Sequence, residues 1–262
     1  MHLQEEMRIV SQHKLAPAIF EMKLAGKLVK EMKQAGQFLH LRVPCPDLLL
    51  RRPISLAEID LKLSTCTIIY RVEGCGTEYF SKMKQGDTLD ILAPLGNGFD
   101  ISVVKPGKSA LIIGGGIGVP PLYELSKKLI TKSVKVVHLF GFATKEVIFY
   151  EEKFRVLGEV RISTDDGSYG VHGHVGDLLE KLEAENFTPD AVYACGASGM
   201  LKMVDKKFAM HPYAFISLES RMACGVGACY ACVCHKNRDP TGTKSCKVCD
   251  QGPVFKTGEV VI

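Results

Sequence analysis

Six of the ten cysteines in this 262-residue chain are crowded between positions 224 and 249. They are Cys224, Cys229, Cys232, Cys234, Cys246 and Cys249. Thiols at this density bind a metal or a metal cluster. Gly225 and Gly227 lie between the first two cysteines, and because glycine has no Cβ, the backbone there can adopt positive φ and turn its N–H groups toward bound sulfur. The segment therefore has the features of a loop that folds around a bound inorganic group.

The spacing of the first three cysteines indicates which group this is. Four residues separate Cys224 from Cys229, and two separate Cys229 from Cys232. This is the spacing with which plant-type ferredoxins place three thiolates around a 2Fe-2S cluster. Small residues, Ala228 and Ala231, leave room for the metal. The pattern predicts a 2Fe-2S cluster whose fourth thiolate comes from further along the chain.

Two other interpretations of the cysteines remain open. Cys229 with Cys232, and Cys246 with Cys249, form two Cys-x-x-Cys pairs, which is close to the pattern of a structural zinc site. Zinc binding leaves Cys224 and the two glycines without a role. A disulfide framework is less favoured, since nothing indicates secretion and a chain of this length does not need covalent staples.

Composition limits the class of protein. The chain is 46% hydrophobic and 24% charged, as in ordinary soluble globular proteins, and is long enough for two domains and a small metal module. A net charge of +4 without a dense basic run predicts no nucleic-acid partner. Glu5, Glu6 and Arg8 interrupt the first ten residues, so we expect no signal peptide. No stretch approaches the ~20 apolar residues of a membrane span, and a cytoplasmic, reducing location is expected.

The first hundred residues contain short alternating apolar runs separated by turn residues. The runs cover residues 7–10, 19–24, 37–43, 66–72 and 88–92. This pattern predicts a small antiparallel β-barrel. A helix is predicted over residues 77–84, directly after Gly76.

Two segments of the predicted barrel could bind a phosphorylated ligand. In the string Arg51, Arg52, Pro53, Ile54, Ser55, a guanidinium and a hydroxyl flank a proline that restricts the backbone, which suits a diphosphate and the edge of an aromatic ring. Gly76 and Thr77 open a helix whose free N–H groups also favour phosphate. Alone, the first is most often a surface loop and the second a helix cap. Their occurrence in one barrel, with Ile69, Tyr70 and Arg71 on a strand between them, favours a binding site.

After residue 106 the pattern changes to alternating strands and helices. Strands are predicted over 110–113, 135–140, 160–163, 191–194 and 214–216, and helices over 121–130, 150–157, 175–185 and 198–210. This predicts a doubly wound parallel α/β domain, which binds ligands at the carboxyl ends of its strands. The predicted fold class is thus multidomain α+β: an antiparallel β-barrel, a doubly wound parallel α/β domain and a small C-terminal iron-sulfur module.

A glycine-rich turn follows the first strand of this α/β domain. Gly114, Gly115, Gly116 and Gly118 precede two prolines. The G-x-G-x-x-G fingerprint does not fit, because the last position is Val119 counted from Gly114 and Pro121 counted from Gly116. A glycine-rich turn that leads into a helix still brings backbone N–H groups close to a pyrophosphate. We therefore predict a dinucleotide site, with a simple tight turn as the alternative.

Two further residues are candidates in the α/β domain. Asp165 follows the third strand and could bond an adenosine ribose while repelling a 2′-phosphate, which favours NAD over NADP; a solvated acidic loop is the alternative. Cys195 ends the fourth strand and is a candidate for the pocket wall, although a lone buried cysteine is more often a small hydrophobic residue.

The order of these parts resembles the ferredoxin-NADP reductase superfamily. Within it, the chain is most similar to the family of iron-sulfur, FAD-containing electron-transfer subunits of NAD-dependent (type B) dihydroorotate dehydrogenase. The resemblance runs essentially from end to end and rests on the strings 52–55, 114–121, 164–168, Cys195-Gly196 with Met200, 219–222, 224–232 and 249–255. The cysteine loop and the tail 249–255 are specific to this family, whereas the other motifs are shared across the superfamily.

The resemblance implies three domains: residues 1–103 for FAD, 104–217 for NAD and 218–262 for the 2Fe-2S cluster. It implies that FAD is bound by Arg52, Pro53, Ile54, Ser55, Ile69, Tyr70, Arg71, Gly76 and Thr77. It implies Cys224, Cys229, Cys232 and Cys249 as cluster ligands. Cys246 is the competing fourth ligand, since it lies three residues away and Gln251 replaces an acidic residue of the family pattern. Cys234 is expected to be a bystander.

The same resemblance implies a function as an electron relay. Nicotinamide exchanges electrons in pairs and a 2Fe-2S cluster exchanges them singly, so a flavin is needed between them. We find no constellation for a separate substrate site; His172 and His174 are flanked by glycines and are interpreted as loop residues. The implied partner is an FMN-containing catalytic subunit that oxidises dihydroorotate to orotate in pyrimidine biosynthesis, in a heterotetramer with two copies of each chain. Two alternatives stay open: a reductase that serves a hydrogenase, an oxygenase or a ferredoxin, and a zinc-stabilised interaction subunit without flavin.

Overall fold

The computed structural model describes residues 3–262. The predicted first domain and the first ten residues both begin with Met1 and His2, which lie outside the described residues. None of the helices from residue 3 onward combines the length and the apolar character needed to cross a membrane.

The N-terminal region forms a closed barrel of six antiparallel strands in the order β1-β2-β5-β4-β3-β6. The strands are β1 (Leu3–Ala16), β2 (Ile19–Ala25), β3 (Phe38–Leu41), β4 (Arg52–Asp60), β5 (Thr65–Arg71) and β6 (Thr88–Leu95). In β1, Met7 and Ile9 are buried, whereas Glu6 and Arg8 are exposed. Since successive side chains of a strand point to opposite faces, this alternation fills the barrel interior and confirms the predicted barrel.

Two short helical segments accompany the barrel, a 3₁₀ turn at Lys27–Glu31 and helix α1 at Cys75–Lys82. Helix α1 begins earlier than the predicted 77–84. The reason is the Thr77 hydroxyl, which accepts hydrogen bonds from the backbone N–H groups of Glu73 at 3.0 Å and Gly74 at 3.3 Å. Thr77 therefore caps the first turn from inside the helix.

The middle region contains a seven-stranded sheet in the order β10-β9-β8-β7-β11-β12-β15, whose last strand, β15 (Val254–Lys256), comes from the C-terminal region. Its parallel strands are β7 (Ser109–Gly115), β8 (Lys135–Phe142), β9 (Glu159–Thr164), β10 (Val171–His172), β11 (Ala191–Cys195) and β12 (Ala214–Ser217). Its helices are α2 (Pro120–Thr131), α3 (Glu151–Arg155), α4 (Val175–Ala184) and α5 (Ser198–Lys207). Helices α2 and α3 pack into one hydrophobic core, and α4 and α5 pack into another on the opposite face. The doubly wound α/β domain is therefore confirmed, with its strand order reversing at β7.

The C-terminal region contains three short strands that sequence periodicity did not predict. Strands β13 (Val233–His235) and β14 (Ser245–Lys247) form a small hairpin. Strand β15 (Val254–Lys256) pairs antiparallel with β12 at the edge of the large sheet. The division of domains at residue 217 stays a prediction, and the last region shares a sheet with the middle one.

Three local differences from the predictions have identifiable causes. The alternative that Arg52 begins a surface loop is wrong, because this residue begins β4. Helix α3 is shorter than the predicted 150–157 because Tyr150 has φ 63°, outside the right-handed helical region. Helix α5 ends at Lys207, before the predicted residue 210. The carbonyl of the next residue, Phe208, accepts a hydrogen bond from the Thr257 hydroxyl at 2.8 Å.

A buried carboxylate joins the barrel to the α/β domain. Glu124 in α2 is 5% exposed, and its Oε2 accepts a hydrogen bond of 3.1 Å from the backbone N–H of Ile59 in β4. Beside it, the Lys127 ammonium contacts the Glu58 carboxylate at 2.7 Å. Because α2 starts directly after the glycine-rich turn, this contact couples that turn to β4.

We expect Glu124→Ala to lower the free energy of unfolding by about 1–3 kcal/mol, because the buried N–H of Ile59 loses its acceptor. Urea or thermal unfolding of the whole chain measures this change. Glu78→Ala is the matched control: Glu78 is exposed and pairs with Lys82 on the surface of α1, so its replacement should cost less than about 0.5 kcal/mol. Equal losses in the two variants would contradict the interpretation.

Candidate redox cofactor site

One cleft of about 460 Å³ lies where the barrel, the large sheet and the cysteine-rich segment meet. The barrel contributes Phe38, Arg52, Pro53, Ile54, Ser55, Ile69, Tyr70, Arg71, Glu73 and Thr77 to its lining. The α/β domain contributes Ile117 and Pro120, and the segment before the cysteines contributes residues 218–222 with Pro253. The structure thus brings together the predicted flavin residues of β4, β5 and α1 in one cleft.

The phosphate-binding character of the cleft comes from Arg52 and the start of α1. A Cβ added to Gly76 would lie 2.5 Å from Nε of Arg52, so the guanidinium lies directly against the backbone of this first turn. The free N–H groups of the turn carry partial positive charge, and the guanidinium adds a full one. This combination suits the diphosphate of FAD. Only glycine at position 76 leaves space for the Arg52 guanidinium.

The three predicted residues of β5 have different environments. Arg71 forms an ion pair with Glu73, which also lines the cleft. Ile69 is buried and gives the cleft an apolar wall. The Tyr70 ring lies in the barrel core, where its hydroxyl donates to Gln12 Oε1 at 3.0 Å. Tyr70 therefore leaves mainly its backbone available for contact with a ligand.

The glycine-rich turn ends β7 and packs tightly against the end of β11. A Cβ on Gly118 would lie 2.5 Å from the backbone of Gly196, and one on Gly114 would lie 2.8 Å from the Phe140 ring. Gly116 has φ 51° and nothing within 4 Å of an added Cβ. Packing and a positive φ explain these glycines, and the open space at Gly116 fits the close approach of a pyrophosphate.

Cys195 lies beside this turn, and its thiol is not reactive there. It is paired with Gly114 across the parallel ladder and is 2% exposed. Burial, and then the negative charge of Glu219, raise the pKa of its thiol well above the usual range. Cys195 is therefore an inert buried residue beside the glycine-rich turn; it does not line the cleft, and its role in the pocket wall stays a prediction.

Asp165 lies away from the cleft, at the carboxyl end of β9. Its Oδ1 is 3.0 Å from Nδ1 of His174, and both side chains are exposed. Strand β8 separates β9 from β7 in the sheet. Asp165 therefore shares the ligand-binding edge of the sheet with the glycine-rich turn, but it does not line the same pocket.

The cysteine loop directs its backbone N–H groups at sulfur atoms. The N–H groups of Val226 and Cys229 both donate to Cys224 Sγ at 3.4 Å, and that of Gly227 donates to Cys249 Sγ at 3.2 Å. Burial alone would raise the pKa of Cys224, but these N–H groups and the Cys229 side chain lower it to about 6. These contacts stabilise negative charge on Cys224, as thiolate ligation requires. Burial, and then the Cys232 side chain, instead raise the pKa of Cys249 to about 12, so its thiolate needs the positive charge of a metal.

The thiols lie in two pairs. The backbone N–H of Cys229 donates to Cys224 Sγ at 3.4 Å, and the backbone N–H of Cys249 donates to Cys232 Sγ at 3.4 Å. Across residues 3–262, no three His, Cys, Asp or Glu side chains converge on a point that could hold a single metal ion. A 2Fe-2S cluster takes two protein ligands on each iron, which matches the pairs Cys224 with Cys229 and Cys232 with Cys249.

The competing fourth ligand, Cys246, is placed differently. It lies opposite Cys234 in the β13–β14 hairpin, and Cys234 Sγ is 3.7 Å from its carbonyl oxygen. Cys249, by contrast, donates its backbone N–H to Cys232 Sγ at 3.4 Å. The hairpin therefore directs Cys234 and Cys246 toward each other, while Cys249 stays with the loop.

Several residues that line the cleft, all within 218–222, have no role that their sequence alone predicts. Residues 218–222 form one wall, and Glu219 lies on its rim. Although Glu219 retains access to solvent, the surrounding protein raises the pKa of its carboxyl, and nearby Glu73 adds to this rise. The string 219–222 was noted only as part of the resemblance; its position just before Cys224 is the signal that could have identified it.

Two family profiles match separate parts of the chain. One, described as "Iron-sulfur cluster binding domain of dihydroorotate dehydrogenase B", matches residues 219–261. The other, described as "Oxidoreductase NAD-binding domain", matches residues 112–206. The first covers the cysteine pairs and β15, and the second covers the glycine-rich turn.

Solved structures show the same fold. A structure of NADH-dependent reduced ferredoxin-NADP oxidoreductase, described in connection with flavin-based electron bifurcation, superposes with TM-score 0.87 at 27% identity over 98% of this chain and 90% of that one. A ferredoxin NADP+ reductase from Neisseria gonorrhoeae with bound FAD and NADP has TM-score 0.67 at 18% identity, over 83% of this chain and 94% of its own. The second likeness shows the fold alone.

Full-length relatives are more similar. The "Dihydroorotate dehydrogenase B (NAD(+)), electron transfer subunit" of Enterococcus faecalis (strain ATCC 700802 / V583) is 61% identical over 99% of this chain and 98% of its own length. The protein of the same name from Streptococcus thermophilus (strain ATCC BAA-491 / LMD-9) is 53% identical over the full length of both chains. The chain therefore belongs to the family of dihydroorotate dehydrogenase B (NAD(+)) electron transfer subunits.

Proposed function

We propose that this chain relays electrons between an FMN-containing catalytic subunit, which oxidises dihydroorotate to orotate in pyrimidine biosynthesis, and NAD+. One observation carries the proposal: the flavin-type residues of the barrel, the end of the glycine-rich turn and the segment that precedes the cysteine pairs all line a single cleft. A flavin bound in that cleft would lie next to a nucleotide at the glycine-rich turn and next to a cluster in the cysteine loop.

The cofactor sites follow from this geometry. Arg52 and the first turn of α1 bind the FAD diphosphate, while Pro53, Ile54, Ser55, Ile69, Tyr70, Arg71 and Thr77 surround the rest of the molecule. Residues 114–118 bind the NAD pyrophosphate, with Cys195 behind them. Cys224 with Cys229 and Cys232 with Cys249 ligate the two irons. These assignments rest on the contacts described above.

The protein contributes position and electrostatics to the relay. When bound, FAD exchanges an electron pair with nicotinamide and single electrons with a 2Fe-2S cluster. Ile117 and Pro120 hold the nicotinamide side of the cleft against the flavin side, and residues 218–222 separate the cleft from the cysteine loop. Asp165 favours NAD over NADP, because a carboxylate bonds a ribose hydroxyl and repels a phosphate.

The partner binds at the exposed side of the cluster loop. Of the four proposed ligands, Cys229 is exposed while Cys232 and Cys249 are buried. Next to Cys229, Tyr230 is 62% exposed and Val233 is 42% exposed. An apolar surface with an aromatic residue beside the only exposed ligand suits a protein contact across which single electrons pass.

The proposed assembly is a heterotetramer with two copies of each chain, located in the cytoplasm. All ten cysteines lie within the described residues as free thiols, which supports a reducing compartment. Sedimentation of the purified complex measures the stoichiometry.

The function is tested by reconstitution with the FMN-containing subunit. We expect anaerobically purified chain to contain FAD, iron and acid-labile sulfide, and dihydroorotate-dependent NAD+ reduction to require both subunits. NAD+ reduction that is unchanged without this chain would rule out the relay. A chain that reduces a ferredoxin from NADH but accepts nothing from the FMN subunit would point to a different partner.

We expect Cys249→Ser to lose most cluster iron and Cys246→Ser to retain it, because only Cys249 lies with the loop cysteines. Iron and sulfide analysis with the visible absorption spectrum measures the cluster, and FAD content serves as an internal control for folding. Cys246 is the matched control, since it is equally buried and three residues away. The opposite result would assign the fourth ligand to Cys246.

We expect Tyr230→Glu to weaken assembly with the FMN subunit at least tenfold, because a buried carboxylate in an apolar contact is costly. Size-exclusion chromatography and titration of the partner measure the affinity. Val156→Glu is the matched control, because Val156 directly follows α3, is 86% exposed and lies away from the cysteines. Equal affinities for the two variants would move the docking surface elsewhere.

A further inference from the structure

His40 is a buried histidine whose two ring nitrogens make no well-formed hydrogen bond. It lies in β3 with 0% exposure, and neither Nδ1 nor Nε2 bonds to any of the described residues. The other fully buried histidine, His138, is satisfied: its Nε2 lies 3.0 Å from Ser126 Oγ and its Nδ1 lies 2.9 Å from the carbonyl oxygen of Glu159. The backbone groups of Cys224 and Arg51 approach the His40 ring without forming such a bond. Since buried polar groups are nearly always paired, the ring retains unused hydrogen-bonding capacity.

The position of His40 in the barrel is next to the flavin cleft. In the antiparallel ladder it is paired with Pro53 on one side and Leu92 on the other. Pro53 lines the cleft and has no backbone N–H. The carbonyl of His40 accepts a hydrogen bond of 3.2 Å from Arg51, which fixes the backbone at this point.

The ring of His40 faces the cysteine loop. A Cβ added to Gly225 would lie 2.5 Å from Nδ1 of His40 and 3.1 Å from its Cε1, and Gly225 has φ 73°. The imidazole therefore packs against the backbone that directly follows Cys224. Any residue with a Cβ at position 225 would displace the ring and would also be strained at this φ.

The N–H groups of this part of the loop already point at sulfur. Those of Val226 and Cys229 donate to Cys224 Sγ. The imidazole places a further potential N–H donor against this turn, and it is carried by a barrel strand instead of by the loop itself. The His40–Gly225 contact thus links the strand next to Pro53 with the first cluster ligand.

We propose that His40 is a positioning residue that holds the Cys224–Gly225 turn against the flavin barrel and supplies an imidazole N–H beside the first cluster ligand. This role rests on the proposed function, in which Cys224 is a ligand. A hydrogen-bond donor near cluster sulfur stabilises the more negative, reduced state, so His40 raises the reduction potential of the cluster.

The test compares His40→Leu with His40→Asn in the purified, FAD-loaded and cluster-loaded chain. Leucine fills the space without a donor, whereas the amide of asparagine can replace Nδ1. At a fixed solution potential, we expect the ratio of reduced to oxidised cluster to fall about tenfold in His40→Leu, which is about 59 mV for a one-electron couple. His40→Asn should restore most of this ratio. His138→Asn, which removes a buried imidazole far from the loop, should leave it unchanged.

A purely structural role predicts a different result. Both His40 variants would then melt at lower temperature, while the potential and the EPR spectrum of the reduced cluster would match those of the unsubstituted chain. That outcome would overturn the proposal.

A second measurement needs no variant. Selective ¹⁵N labelling of histidine in the unsubstituted chain should give a histidine nitrogen coupling in the pulsed EPR spectrum of the reduced cluster, and its absence would overturn the proposal. Neither measurement uses the FMN subunit or dihydroorotate. A chain with a full cluster and no effect of His40 refutes this role alone, whereas a chain without iron refutes the proposed function and this role together.

Discussion

The pairing of β15 with β12 is the contact on which the arrangement of the cofactor sites depends. Phe255 lies opposite Ile216 in this ladder, and the N–H of Leu218 donates to the carbonyl of Pro253 at 2.9 Å. The barrel also holds this tail, because the N–H of Asn97 donates to the carbonyl of Gly252 at 2.7 Å. The tail 252–256 is thus attached both to the large sheet and to the barrel. This fixes the segment just before it, so that the N–H of Cys249 bonds to Cys232 Sγ.

Strand β4 and helix α2 relate the flavin side of the cleft to the nucleotide side. The first residues of β4 line the cleft, and near its end the N–H of Ile59 bonds to Glu124. Helix α2 begins at Pro120, directly after the glycine-rich turn. One buried hydrogen bond therefore connects two rigid elements that each carry a binding site, and this limits their relative movement.

Local features were predicted well, and features that depend on distant contacts were not. The alternation of apolar and polar residues in β1 and the strand-helix order after residue 106 were sufficient to predict the barrel and the α/β domain. Hydrophobic periodicity is a local property, so it can be read without knowledge of distant contacts. Strands β13, β14 and β15 have three residues each, too few for a period to be recognised. Residues 218–222 carry no motif with a known mechanism, and they line the cleft only because the chain turns there between β12 and the cysteine loop.

The amino-acid sequence by itself determined the chemistry that is available: thiols at cluster spacing, a glycine-rich turn before a helix, and an arginine-proline string in a barrel. Spacing along the chain is enough for these, since each motif acts within a few residues of itself. Tertiary structure alone decided which distant residues meet. It placed Cys249, and not Cys246, beside Cys232, and it put the ring of His40 against Gly225. Such meetings follow from strand pairing across the whole chain, which no local pattern encodes.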